Sequence, residues 1–295
     1  MSMKRFIAQG KKISREVFSH DMFNASKGAA YSAMLMLFPA ILVITTLLSQ
    51  VQEGANAMGE LRVMFEQLLP ADTMDLLQSA VLAHRVHSLP VILSATSLSI
   101  FAGMGMTLSF MEGFRRAYRV PFEEQWGFWG RRVRALLLVP IVMIPLSLAT
   151  LVIVFGHQIE LWMIEAAGHD LRHIVFIFWR MVRWSIALIT STAVLTVLYY
   201  FGTRRKDHWF WALPGAITGT LIWFPATLAF GWYVTRDENY SRFYGSFAAG
   251  IATLVWLYLT SFSVLVGSEV NGALYCDRHA SQESSRLPDS AASRQ

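Results

Sequence analysis

Eight histidines, 20 acidic side chains and one cysteine, Cys276, are the groups in this 295-residue chain able to do proton-transfer, metal or thiol chemistry. The histidines (His20, His84, His87, His157, His169, His173, His208, His279) lack metal-site spacing. Neither His84/His87 nor His169/His173 has the HExxH or HxHxD companions that would set ligands and a base around one ion. A lone cysteine excludes an intrachain disulfide and a cysteine-based zinc cluster. No Walker A glycine loop, GxSxG elbow or recognisable catalytic carboxylate pair is present. The chain therefore reads as a non-enzyme, with no catalytic residue, cofactor or metal expected. Two groups of polar side chains remain. Ser268, Glu269 and Asn271 directly follow a long apolar run, and arginines crowd residues 115–134.

The elements that must position them are apolar helices. At 54% hydrophobic and 15% charged residues, the composition is that of a membrane protein. Crossing about 30 Å of hydrocarbon takes roughly 20 residues of helix. Six runs without Asp, Glu, Lys or Arg meet this length: 29–48, 91–111, 135–155, 184–201, 212–234 and 247–267. They are continuously apolar, so helices are expected rather than the alternating strands of a barrel. Between the runs, 18 of the 25 Lys and Arg fall in the N-terminal segment, the second and fourth connections and the tail, and seven in the other connections. By the positive-inside rule both termini are cytoplasmic. The net charge of +5 is then a gradient across the membrane, +8 inside and −3 outside, and no nucleic-acid signature.

The expected architecture is all-α: a polytopic six-transmembrane-helix bundle over 29–273, preceded by an amphipathic cytoplasmic segment, 1–28, and followed by a disordered cytoplasmic tail, 274–295. In the first segment Phe6, Ile13 and Val17 share a face opposite Lys11, Lys12 and Arg15, which suits a helix lying on the anionic inner leaflet. No cleavable signal peptide is expected, because the first apolar run begins late and has spanning length. In the first outer connection Leu61, Phe65 and Leu68, then Pro70, then Asp72 opening a pattern through Val81, predict an outer helical hairpin.

Within the spans, Pro39, Pro140, Pro145, Pro214 and Pro225 are candidate kinks. Gly215/Gly219 and the ladder Ala25, Ala29, Ala33 permit close helix contact. Hydroxyls cluster on the second, fourth and sixth spans. They either bond carbonyls of their own helix or border a polar cleft.

The stretch Tyr244-Gly245-Ser246-Phe247-Ala248-Ala249-Gly250, continuing through Leu254-Val255-Trp256-Leu257-Tyr258-Leu259 to Gly267-Ser268-Glu269-Val270-Asn271, resembles the C-terminal signature of the YhjD/YihY/BrkB family of bacterial inner-membrane envelope integrity proteins. Ala29-Ala30-Tyr31 with Phe38-Pro39, Arg116-Ala117-Tyr118-Arg119-Val120 with the basic run 131–134, and Leu213-Pro214-Gly215-Ala216 with Trp223 extend the resemblance to residues 18–273. Ser268 departs from it, the family more often having Ala. The resemblance implies six helices with both termini inside, and a link to envelope integrity and lipid or lipopolysaccharide export. It also implies that an older ribonuclease BN label for the family is an error.

The expected function is thus handling or translocation of an anionic lipid or lipopolysaccharide-type amphiphile in the bacterial inner membrane. Its partners are membrane lipids whose headgroups meet Arg116, Arg119, Arg131 and Arg132 on the cytoplasmic side, with no nucleic acid. A structural scaffold for envelope proteins, with envelope-protein or homo-oligomeric partners, is the alternative. A tRNA-processing ribonuclease and a small-solute transporter rank below both. Tyr31, Pro39, Tyr244, Gly245, Glu269 and Asn271 are the candidate functional residues, where family motif and membrane-embedded polarity coincide.

Overall fold

The computed structural model describes residues 3–48, 89–145, 172–204, 208–236 and 247–286. All secondary structure among them is helical. In chain order the helices are α1 (Met3–Ser19), α2 (Met22–Leu48), α3 (Leu89–Ala117), α4 (128–145), α5 (Arg172–Gly202), α6 (Leu213–Arg236) and α7 (Ala248–Arg286), with 3-10 turns at Phe122–Glu124 and Trp209–Ala212. Five stretches are long and apolar enough to cross a membrane: Met22–Val43, Leu89–Ala117, Trp184–Gly202, Trp209–Val234 and Gly250–Ala280. The remaining expected span, 135–155, is described only as far as residue 145, where α4 is still helical. The outer hairpin, Tyr244 and Gly245 lie outside the described residues.

The packing is inverted relative to a water-soluble bundle. Buried positions are dominated by small residues, among them Ala29, Ala30, Ala33, Ala102, Ala216, Ala252, Ser26, Ser261 and Ser263. Large apolar side chains such as Phe101, Leu137, Ile144, Ile189, Leu221 and Trp232 face outward. In water such a surface would drive association. In lipid it costs nothing, and helices associate by close packing of small residues.

Helix α7 lies at the centre, touching α6, α2, α3 and α1, while α2 packs most extensively on α3 and α5 packs on α6. The small-residue expectation holds at these contacts. A Cβ on Gly215 would meet the carbonyl of Gly267 and the side chain of Asn271, and one on Gly219 would lie 3.1 Å from the Tyr199 hydroxyl. Gly28 and Gly105 of the α2–α3 contact face Ser109 and Ser32 at 3.4 and 3.2 Å. As closely as at Gly215, a Cβ on Gly272 would strike the backbone carbonyl of Ala117, with the carbonyl carbon at 2.6 Å. Backbone cannot rotate aside, so Gly272→Ala is expected to destabilise the fold by about 1–3 kcal/mol. Gly10→Ala, with nothing near its Cβ, is expected to be neutral or stabilising. Thermal unfolding of the two variants in detergent checks this, and equal melting temperatures would contradict it.

The hydroxyls mostly take the simpler of their two expected roles. Thr96, Ser97, Thr107, Ser109, Thr196 and Ser263 each donate to the carbonyl four residues earlier in their own helix. Thr192 with Thr220, and Thr260 with the Trp223 indole, bridge helices in hydrogen bonds of 3.3 and 3.1 Å. Pro214 sits in the first turn of α6, where its missing N–H is not required. Pro39 and Pro225 lie inside α2 and α6, which continue past them.

The segment from 274 differs from the expected disordered tail, since α7 runs on to Arg286. Its helical continuation has contacts to make. Asp277 accepts from Lys12 of α1 at 2.7 Å, and the Arg278 guanidinium stacks 3.3 Å above the Trp211 ring.

Candidate functional site

The arginine-rich end of the bundle gathers the ends of α1, α3 and α7 and the start of α4 around one polar junction. Two helix termini set its geometry. At the α1–α2 turn, Asp21 is left-handed, φ 57°, a conformation Asp tolerates, and its carboxylate accepts from Asn24 at 2.8 and 3.0 Å. This sharp turn lays α1 back against α7. At the end of α3, the N–H of Val120 reaches the carbonyl of Arg115 and that of Arg119 the carbonyl of Arg116, both at 3.0 Å, a Schellman closure. Its left-handed position, φ 51°, is Arg119 rather than the usual glycine. The strained backbone aims the Arg119 side chain at Glu16 of α1, which accepts at 2.9 Å.

Glu269 of α7 is fully buried. Its Oε1 lies 2.8 Å from His20 Nδ1, a partner 249 residues away, while Oε2 is buried without a hydrogen bond. The carbonyl of His20 accepts from Arg116 at 3.2 Å, and Arg116 also pairs with Asp21 at 3.7 Å. Glu112 of α3 accepts from Arg115 at 2.7 Å and Arg116 at 3.3 Å, and lies 3.6 Å from Arg131. Ion pairs thus join the α1–α2 turn, α3 and α4 through Asp21, Arg116, Glu112 and Arg131, and a separate pair, Glu16–Arg119, joins α1 to the end of α3, beside the histidine–carboxyl pair. Such a pair can hold or pass a proton and fasten the N-terminal helix to the bundle.

Two residues beyond Glu269, Asn271 does a different job. Its Oδ1 accepts the N–H of Gly215 at 2.7 Å, and its Nδ2 donates to the carbonyl of Ala212 at 3.0 Å. It therefore serves both the orphan donor of the α6 start and the last carbonyl of the preceding 3-10 turn. Ser268 donates to Leu265 within α7 at 2.7 Å. The Lys12–Asp277 pair is exposed and solvent-screened, so although Asp277 holds the ammonium above its ordinary range, the pair adds little stability.

The sequence-derived candidates divide accordingly. Glu269 and Asn271 lie together in the junction. Tyr31 is 63% exposed on the outer face of α2, and Pro39 lies about 25 Å along that helix from its start, so neither joins them. Of the four candidate headgroup arginines, Arg116, Arg119 and Arg131 are held by Glu112, Glu16 and Asp21, and Arg132 stacks 3.6 Å over the Phe128 ring. His20, Glu16 and Glu112 were not singled out by sequence. The i+3 and i+4 spacing of Glu112 to Arg115 and Arg116 was a legible signal. No spacing pairs His20 with Glu269, since that contact exists only through the α1–α2 turn. Among the described residues, no three His, Cys, Asp or Glu side chains are grouped to hold a metal ion.

The family model described as "Virulence factor BrkB" matches residues 13–293. The chain is similar to a ribonuclease-like protein, YfkH, of Bacillus subtilis (strain 168), with 26% identity over 267 residues that cover 88% of this chain and 94% of that one. It is similar to a UPF0761 membrane protein of Vibrio vulnificus (strain YJ016), with 24% identity covering 87% and 79%. A UPF0761 membrane protein of Paraburkholderia xenovorans (strain LB400) is 33% identical over 97 residues, 32% of this chain and 22% of that one. No solved structure matches.

Proposed function

This chain belongs to the BrkB family of membrane proteins, and from that premise we propose that it serves envelope integrity by handling or translocating an anionic lipid or lipopolysaccharide-type amphiphile. The ribonuclease wording in the Bacillus name is a mislabel, attached at low identity to a protein that shares a membrane family with this one. In this proposal the protein resides in the bacterial inner membrane with both termini cytoplasmic. Residues 135–155 make the sixth span, and the N-terminal helix lies amphipathically at the inner leaflet.

The observation that carries the reading is the concentration of guanidinium groups and exposed aromatic rings at one end of the bundle. Arg115, Arg116, Arg131, Arg132 and Arg134 stand among Phe122, Phe128 and Trp129, all three rings well exposed. Arginine and aromatic residues together suit the level of anionic headgroups, each basic side chain contributing about 1 kcal/mol there. The pair of the half-buried His20 and the buried Glu269 ties this end to the central helix, so headgroup capture there is coupled to α1 and α7.

Reconstitution into liposomes tests it. Vesicles of phosphatidylcholine with phosphatidylglycerol or lipid A, carrying the protein, are expected to move the anionic lipid between leaflets about tenfold faster than empty vesicles. Equal rates for every anionic lipid tried would overturn the proposal.

A further inference from the structure

Beside the junction, a shallow open cleft lies between the end of α3, the connection to α4 and the end of α5. Its walls carry Arg115, Arg131 and Arg204 together with Trp126 and Thr203, over an apolar floor that includes Phe114. We propose that this cleft is a binding site for the phosphate of an anionic lipid headgroup in the adjacent leaflet, a site for the amphiphile of the proposed function.

Three guanidinium groups share one small volume. Glu112, the carboxylate that pairs with Arg115 and Arg131, also serves Arg116 and stands behind the lining. Glu123 and Glu124 belong to the exposed 3-10 turn and do not line the cleft. The other contacts are to neutral acceptors. Arg115 donates to the Val120 carbonyl at 3.3 Å, Arg131 to the Gln125 side chain at 3.4 Å, and Arg204 to the carbonyls of Gln125, at 2.6 Å, and Glu124. These bonds orient the guanidinium planes without neutralising them. Positive charges so gathered favour a multiply accepting anion, and the planar forks match phosphate oxygens.

The surroundings of the cleft select a lipid over free phosphate. Trp126 of its lining carries Arg134 4.4 Å over its ring, and in the adjoining chain Arg132 lies 3.6 Å over Phe128 and Arg115, also of the lining, 5.6 Å from Phe122. Trp129 beside them is exposed, and from Leu136 onward α4 presents large apolar side chains outward. Apolar helix on one side and guanidinium-capped aromatics on the other are the pattern of a membrane–water interface. The phosphate then sits among the arginines, and the acyl chains run along the exposed apolar face of α4.

The test is calorimetric titration of the full-length protein in neutral maltoside detergent. Dihexanoyl phosphatidylglycerol is expected to bind at least about tenfold more tightly than dihexanoyl phosphatidylcholine or inorganic phosphate. The Arg131→Gln/Arg204→Gln variant is expected to weaken that binding about tenfold or more. Lys11→Gln/Lys27→Gln, which removes the same charge from exposed positions outside the cleft, is expected to stay within about twofold. Arg204→Gln alone, whose bonds go only to carbonyls of an exposed connection, guards against a folding defect and is expected to weaken binding about threefold or more. Unchanged affinity in the arginine variants, an equal loss in the lysine variant, or inorganic phosphate binding as tightly as the lipid would each overturn the site. Lost binding with normal transbilayer movement in liposomes refutes the site alone. Normal binding without movement refutes the translocation reading alone.

Discussion

Replacing His20 with alanine is expected to destabilise the protein by about 3–5 kcal/mol, because it leaves a buried carboxyl with neither oxygen bonded. Glu269 is inaccessible, its Oε2 already lacks a hydrogen bond, and Oε1 is held by His20 at 2.8 Å. The second half of the expectation is the stricter one. Glu269→Gln in the His20→Ala background replaces the unpartnered acid with a neutral amide and is expected to recover most of the loss. Glu269→Gln alone keeps an oxygen for the His20 ring and is expected to fold like the parent. Thermal unfolding of the four proteins in detergent reads this as a double-mutant cycle. A His20→Ala protein as stable as the parent, or a double variant no better than the single, would show that the pair does not fasten α1 to the bundle. If the cycle holds, envelope sensitivity of a strain carrying Glu269→Gln at equal abundance separates the fastening role from a role for the carboxyl in function.

Asn271→Leu carries the other large effect. The substitution strips the acceptor from the Gly215 N–H and the donor from the Ala212 carbonyl. Both backbone groups are buried, and each costs about 1–3 kcal/mol when left unbonded, so a loss of roughly 2–6 kcal/mol is expected. The branched side chain would also press on the Gly215–Gly267 contact, where there is no room for a Cβ. Asn271→Asp keeps the acceptor for Gly215 and sets negative charge at the positive end of α6, so its stability is expected to fall between leucine and the parent. A leucine variant as stable as the aspartate one would mean that Asn271 does not close the α6 start. Asn271 is thereby distinguished from Glu269: a structural cap for α6, two residues from a group whose second oxygen is unspent.

Glu269 and Asn271 illustrate how far the chemistry was legible. Both stood out in the sequence as polar groups on the continuation of an apolar helix, and both are nearly or wholly buried. Their partners could not be read there. His20 is a lone histidine in a basic segment, and the groups served by Asn271 are a backbone N–H and a carbonyl, which leave no trace in residue type. The Arg119 partner was hidden for a related reason. As one member of a basic loop it carries no mark of Glu16, which its left-handed backbone brings within 2.9 Å of its side chain. Arg204, which in the sequence belongs to the separate basic run 204–206 after α5, joined the arginines of 115–134 only when the fold set it in the same cleft as Arg131.

By itself, the sequence determined that this chain is helical and crosses a membrane, because hydrophobicity over 20 residues is a local property and lipid admits few ways to satisfy backbone hydrogen bonds. It also determined where helices could approach closely, since Gly and Ala are legible as such. The tertiary structure alone decided which helices meet, that α7 is central and continues to Arg286, and which acid each arginine serves. Those outcomes turn on two sharp helix ends, at Asp21 and Arg119, that redirect whole helices. Contacts between residues 249 positions apart depend on the product of such rotations along the chain, and no local pattern encodes that product.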